Sequence, residues 1–491
     1  MDSATDLLPF PPQFNGSLRV ETRPEHLTSE AGAIIQREII ERTGIVRWLT
    51  TRLHDPRDPD FITHPLAELL TTALILRGQG WRDQDDADVL RDDAVLRLAV
   101  SSRKGISPLS QRPPREDGKP LSHNPAVPDG LASQPTLSRL DATLSTEDNR
   151  GVLSEGLTEL AARHTKASRR GHRMRYVTVD VDSVPIEVFG HQPGAKYNGY
   201  YHALVYHPLV ASIAETGDLL DVKLRAGNVW TGEGALAFIV PLLDRVESKL
   251  CQVASVRIDA GLPEEGLMGH LELRGTGYVA RVKNNPVLNR LAEPLLKRPP
   301  GRPPAESRTW FHEMSYRAES WSRERRVVLV VLERHDELFL HHFWLITNWT
   351  PEQMPGEALL ALYRRRGKAE GHQGEWKDVF DPALSSSPRP KSTYRGEEPE
   401  RHYPSVDSFA VNEARLLLDA LAYNILHVGR VLIAEATGEG WSLRRFQERL
   451  IRVAARVNVH GRRAIVVVAK AAAGLWTALW DKLARFQYAE S

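Results

Sequence analysis

The chain has 491 residues, 41% hydrophobic and 26% charged, with 64 lysines and arginines set against 63 aspartates and glutamates for a formal net charge of +1. That length exceeds one ordinary core and predicts about two to four domains of a globular protein. No apolar run reaches the ~18 residues of a membrane span, MDSATDLLPFPPQ lacks the pattern of a secretory leader, and the single Cys251 excludes an intramolecular disulfide or a cysteine zinc site and predicts a reducing cytoplasm.

From Thr28 to Val100 the pattern is helical, as in PLAELLTTALILRG (Pro65 to Gly78), with an acidic stretch DQDDADVLRDD from Asp83 to Asp93. Ser107 to Gly130 is rich in proline and polar residues and reads as a linker, so residues 1–130 are expected to form a helical N-terminal region that ends in it. Residues 131–172 read as a helical connector opening at SQPTLSRLDATL, where Ser133 suits an N-cap and Pro135 the first turn.

At Tyr176 the period changes to two. In YVTVDVD, Val177, Val179 and Val181 face one way and Thr178, Asp180 and Asp182 the other, as in a half-buried strand. Strands follow at Ala203 to Ala214 and Leu219 to Leu224, then a helix from Thr231 to Leu250, the strand ASVRID ending at Asp259, a short helix, and the strand GYVARVK ending near Lys283. This alternation predicts an α/β fold with a mixed sheet, its first part within residues 173–290. Residues 291–345 open with the loop KRPPGRPPAES and continue as three strands rich in aromatic and β-branched residues, an all-β insertion. The core resumes over residues 346–435, which include a glycine-studded helix, a proline- and serine-rich loop and a long helix from Ser405 to Glu435. Residues 436–491 read as a basic helical tail with one strand at AIVVVA.

Charge is segregated along the chain. RHTKASRRGHRMR (Arg163 to Arg175), YRRRGKAEGHQGEWKD (Tyr363 to Asp378) and RRFQERLIRVAAR (Arg444 to Arg456) are the footprint expected for a polyanion partner. In the second of these, Tyr363, Arg366, Glu370 and Lys377 fall within about 60° of one another around a helix. Gly367, Gly371 and Gly374 each cost a helix interior about 1 kcal/mol, which argues for close approach of another backbone and against a plain solvated stripe. Asp182 and Asp259 end strands of one sheet, and Glu370 rides a helix against it. Three carboxylates in a cationic setting, without a histidine cluster or a Walker-type phosphate loop, suit hard divalent ions and phosphoryl transfer on nucleic acid.

The spacing Tyr363-x2-Arg366-x3-Glu370-x6-Lys377 resembles the Tyr-Arg-Glu-Lys signature of DDE transposases from bacterial insertion sequences, the branch with a β-strand insertion before the catalytic glutamate. DVDSVPIEVFG and VRIDAGL resemble that branch's two aspartate motifs, although Val184 and Ala260-Gly261-Leu262 depart from its usual residues. The resemblance implies a ribonuclease H-like core, with Asp182, Asp259 and Glu370 as catalytic residues holding two Mg²⁺ ions that Mn²⁺ can replace. It also implies cleavage of double-stranded DNA at terminal inverted repeats, strand transfer into target DNA, a homodimer in the synaptic complex, and a bacterial, nucleoid-associated enzyme with no membrane association. The N-terminal region then becomes the DNA-binding and assembly region. Tyr363, Arg364, Arg365, Arg366 and Lys377 are expected to hold DNA, with Trp310, Trp321 and Arg302 of the insertion as further contacts.

Each assignment has a plainer counterpart. Asp180 shares the face of Asp182, and Asp182 is taken as the metal ligand. Asp259 also suits a cap for the following helix, and Glu370 an i,i+4 salt bridge to Arg366. Trp310 and Trp321 suit a β core as well as an unpaired base, and Arg302 a plain loop. On function, the alternatives are a metal-dependent nuclease that does not join and a catalytically dead, domesticated DNA-binding protein.

Overall fold

The structure, a computed structural model, describes residues 25–101, 130–168, 174–298, 306–387, 407–460 and 463–486, with shorter pieces before residue 25 and Tyr488. Most of the linker from Ser107, part of the basic run near Arg170, the loop carrying Arg302 and most of the proline- and serine-rich loop after residue 387 lie outside the described residues. The chain divides into two units: residues 42–55, 139–428 and 486–491 form one, and residues 1–41, 56–138 and 429–485 the other.

The larger unit is built on one sheet. Tyr176–Ser183 (β1) alternates as its sequence dictates, with Val177, Val179 and Val181 buried on one face and Asp180 and Asp182 on the other. Leu209–Ile213 (β2) pairs antiparallel with β1, and Leu219–Lys223 (β3) pairs antiparallel with β2. Gln252–Ile258 (β4) runs parallel to β1, and Gly277–Val282 (β5) parallel to β4. The order β3-β2-β1-β4-β5 is the ribonuclease H-like arrangement, and helices flank it: Glu147–Ser168 (α1), Ala235–Lys249 (α2) and Glu265–Arg274 (α3). Leu242 and Leu243 of α2 and Met268 of α3 cover the valine face of β1.

The insertion is all β, and it does not stand apart. Arg308–Tyr316 (β6), Arg325–Glu333 (β7) and Leu340–Thr347 (β8) form an antiparallel meander whose last strand pairs with β5, so the sheet continues through eight strands as β6-β7-β8-β5-β4-β1-β2-β3. Gly356–Arg364 (α4) then lays Leu359 and Leu360 on Val279, Val328, Val330 and Leu345 of the opposite face.

Three local features depart from the sequence reading. The strand expected over Ala203 to Ala214 breaks at His207-Pro208. Ala203–Tyr206 joins a small sheet with Ile186–Glu187 and Lys196–Asn198, because Pro208 has no N–H to continue a ladder. The glycine-studded helix is two, α4 and Arg366–Phe380 (α5), meeting at Arg365. The long helix, Ser408–Thr437 (α6), is long and apolar enough to cross a membrane, but 94% of its most apolar window is buried within the protein. Its Asn424 caps the β3 edge of the sheet, accepting from Leu219 N–H at 2.9 Å and donating to the Leu219 carbonyl at 2.8 Å.

In the smaller unit the N- and C-terminal segments, read separately in the sequence, fold together. His26–Thr28 pairs with Ala455–His460, which pairs with Arg463–Val468, so the tail expected to be helical carries a hairpin. Gly32 N–H donates to the Ile451 carbonyl at 3.0 Å, an approach so close that a side chain at Gly32 would meet the Ile451 backbone at 2.3 Å.

Candidate active site

Register brings the two aspartates together. In the parallel β1–β4 pair, Arg257 lies opposite Asp180 and Ile258 opposite Val181, so one step further Asp259 is level with Asp182 at the carboxyl ends of neighbouring strands. The pair below them is a fully buried ion pair: Arg257 donates through Nε and Nη2 to the two Asp180 oxygens, each at 2.5 Å. Its Nη1 donates to the Leu362 carbonyl at 3.0 Å and ties the end of α4 to β4. Asp180 is thereby occupied, and Asp182 is the aspartate of β1 that faces the opening.

Arg366 begins α5 and is buried. Its guanidinium donates to Asp182 Oδ2 at 2.6 Å and to Glu370, one turn along the same helix, and lies 3.9 Å from Asp259 Oδ1. One cation thus gathers the three carboxylates named from the sequence. The Asp182 side chain is 15% exposed, against 41% for Asp259 and 54% for Glu370. Burial pushes the Asp182 carboxyl up to about 6, opposed by Arg366 and by the Ser183 N–H and reinforced by Asp259 and Glu370. Desolvation outweighs the ion pair here. With all three carboxylates ionised, the cluster carries a formal charge of −2 around Arg366. An oxygen-only donor set of this kind fits a hard divalent ion.

A family model described as Transposase DDE domain group 1 matches residues 10–389, most of the chain. The chain is a DDE transposase. It is therefore an enzyme of phosphodiester hydrolysis and transesterification, and its family uses divalent metal ions. No curated protein matches it. Among solved structures, the piggyBac transposase synaptic complex with hairpin DNA is similar at a TM-score of 0.40 and 10% identity, over 96% of this chain and 89% of that one.

The other expected contacts divide. Arg364 and Arg365 of the transposase are exposed, while Lys377 and Tyr363 are half-buried, Tyr363 lying 6.4 Å from the Phe343 ring. Arg366, expected on a DNA phosphate, is instead buried with its donors turned to carboxylates. Trp321, expected against a base, is 7% exposed and packs edge-on against Tyr316 at 5.5 Å, so it fills the core. Trp310 is half-buried against the same core, and Arg302 lies outside the described residues. The helix glycines were expected to admit a second backbone, yet at Gly367, Gly371 and Gly374 nothing comes within 4 Å of an added Cβ. Asp259 caps no helix, since α3 starts only at Glu265.

Sequence reasoning missed Arg257 and Tyr201. Arg257 was legible: it precedes Asp259 by the two residues that separate Asp180 from Asp182, so parallel pairing had to set it against Asp180. Tyr201 feels the charges of Asp182 and Asp259, which add to burial and Tyr200 in pushing its hydroxyl up. It lies in the aromatic turn NGYYHA, which carried no pattern.

The raised Asp182 carboxyl gives a stability test. The folded state binds the proton more tightly than the unfolded chain, whose ordinary value is 3.8, so stability is lost as pH rises from there through about 6 and stays lost above. The ionised group costs on the order of 3 kcal/mol at neutral pH. With chelator present, Asp182→Asn is expected to be more stable than the parent at pH 7.5 by about 1–2 kcal/mol, after loss of the Arg366 contact, and no more stable at pH 4. Urea denaturation at the two pH values checks this, and a less stable variant at pH 7.5 contradicts it.

Proposed function

We propose that this transposase carries out Mg²⁺-dependent cut-and-paste transposition of a bacterial insertion sequence and belongs to the branch with the Tyr-Arg-Glu-Lys signature. The observation that carries the reading is the convergence of Asp182, Asp259 and Glu370 on Arg366 at the carboxyl ends of two parallel strands. Asp182, Asp259 and Glu370 hold the divalent ions, for which Mn²⁺ substitutes. Bound there, two ions supply activation of the attacking oxygen and charge neutralisation at the leaving oxygen. Arg366 keeps the carboxylates gathered and partly neutralised, so the buried Asp182 stays where an ion is needed. Exposed Arg364 and Arg365, with Lys377 and Tyr363 beside Glu370, face the DNA backbone. The partners are double-stranded DNA, as terminal inverted repeats and as target, and a second copy of the chain in the synaptic complex. The setting is the cytoplasm, on the nucleoid.

The test uses the full-length protein, Mg²⁺ and DNA flanking its own gene. Cleavage at both ends, and joining of a pre-cleaved 3′ end to a second duplex, are expected. Cleavage without joining identifies a nuclease, and end binding without either reaction identifies a dead DNA-binding protein.

A further inference from the structure

The carboxylate site has a wall that its motifs do not name. Tyr201 lies in the turn NGYYHA, between Lys196–Asn198 and Ala203–Tyr206 of the small sheet, and is half-buried. Its ring is clamped edge-on by two neighbours, Tyr200 at 5.0 Å and His207 at 5.7 Å. His207 is fixed to both strand ends that carry the aspartates. On one side the carbonyl of the next residue, Pro208, accepts from Val184 N–H at 3.1 Å, two residues past Asp182, and Val210 of β2 lies opposite Asp182 itself. On the other side the His207 carbonyl accepts from Arg225 Nε at 2.8 Å, and Arg225 Nη1 donates to the Thr231 carbonyl at 2.9 Å. Thr231 packs on Gly261, two residues past Asp259, so closely that a Cβ on that glycine would meet it at 2.5 Å. Tyr201 is thus packed on the residue that ties the ends of β1 and β4 together, and it stands near enough to Asp182 and Asp259 to feel both charges.

The Tyr201 hydroxyl is unspent. Tyr206, Tyr278 and Tyr423 of the same unit donate theirs to the Pro193 carbonyl, to Glu272 and to the Gly217 carbonyl, at 2.6, 2.9 and 3.3 Å. Among the described residues that of Tyr201 has no hydrogen-bond partner. The turn holds it in place: Tyr200 N–H donates to Asn198 Oδ1 at 3.0 Å and Asn198 Nδ2 to the Gly227 carbonyl at 2.9 Å, and His202 sits in the left-handed region at φ +54°, uncommon for a residue with a side chain.

We propose that the Tyr201 hydroxyl is a catalytic hydrogen-bond donor to a non-bridging oxygen of the scissile DNA phosphate.

This rests on Asp182, Asp259 and Glu370 being the metal-holding carboxylates, and it adds what that set lacks. Ions held by carboxylates neutralise only the phosphate oxygens that face them. The oxygen turned away needs a donor of its own as charge develops on it. Arg366 is not that donor in this arrangement, since its guanidinium is buried against carboxylates. Tyr201 stands beside Asp182 and Asp259 with its donor free, and being neutral it does not compete with metal ions for the carboxylates. A ring already clamped on two sides gives up little further freedom when the phosphate arrives.

The test is a cycle between enzyme and substrate. It uses the full-length protein and the duplex flanking its own gene, with the scissile phosphate, located by the parent's cut, made as the diester or as each phosphorothioate diastereomer. Sulfur in place of an oxygen that faces a metal ion slows cleavage with Mg²⁺ and is relieved by the softer Mn²⁺. Sulfur in place of the oxygen that Tyr201 contacts slows it without that relief. Tyr201→Phe is expected to melt with the parent and to cleave the diester about 10–100-fold more slowly, the worth of one hydrogen bond to a charged group. In that variant the metal-facing diastereomer keeps its full effect, while the other causes no further loss. Equal cleavage by Tyr201→Phe and the parent overturns the assignment and leaves the carboxylate reading standing. So does a slow variant in which both sulfur effects persist in full, as for a residue that only supports the fold. A parent that leaves this duplex uncut with either metal defeats the proposed function, and this assignment with it.

Discussion

Glu370→Gln is expected to lower strand cleavage by a factor on the order of 10³ or more while changing thermal stability little. The glutamate side chain is 54% exposed and bonds Arg366 on its own helix, and an exposed i,i+4 pair contributes about 0.3–0.5 kcal/mol. On the proposed function the same carboxylate, held at a divalent ion, contributes to charge stabilisation worth several kcal/mol in the transition state, and each 1.36 kcal/mol is about tenfold in rate. A surface salt-bridge partner and a metal ligand thus predict the same small change in stability and opposite outcomes for cleavage. Cleavage rate and melting temperature measured on the same preparation decide between them. A variant that cuts normally would reduce Glu370 to a partner of Arg366.

Asp180→Asn should do the reverse. The ion pair of Asp180 with Arg257 is almost without solvent contact, and removing one partner of such a pair leaves an uncompensated charge, costing about 3–5 kcal/mol. Because Arg257 also holds the Leu362 carbonyl, the end of α4 should loosen as well. Denaturant unfolding reads the loss. The double variant Asp180→Ala/Arg257→Leu is expected to recover part of it, since no charge is then stranded. If Asp180→Asn is as stable as the parent, the pair is not the internal strut that its geometry implies. On the proposed function, Asp180 and Asp182, two residues apart on one face, are expected to differ in what each substitution breaks: the fold for one, the chemistry for the other.

Much of this was legible in the sequence because local periodicity carries it. The alternation of Val177, Val179 and Val181 with Thr178, Asp180 and Asp182 set the strand and its two faces, and the four-residue signature around Glu370 named the helix that faces it. What periodicity does not encode is which edges meet. The insertion's strands read correctly as strands, yet nothing in RRVVLVVLE or LFLHHFWLITN says that β8 pairs with β5. The role of Arg366 was misread for a related reason: a cation on a basic helix looks like a phosphate ligand until the strands bring Asp182 and Asp259 beneath it.

The continuity of the eight-stranded sheet bears on how this enzyme can be shortened. Strand β5 is hydrogen-bonded to β4 on one side and to β8 on the other, and Val279 shares its apolar face with Val328, Val330 and Leu345 from β7 and β8 and with the leucines of α4. Excising the insertion would bare an interior strand as a sticky margin and remove the floor on which α4, and after it Arg366 and Glu370, are seated. The segment is thus no detachable accessory to a minimal nuclease: core and insertion make one indivisible structural element, and a working truncation must spare both.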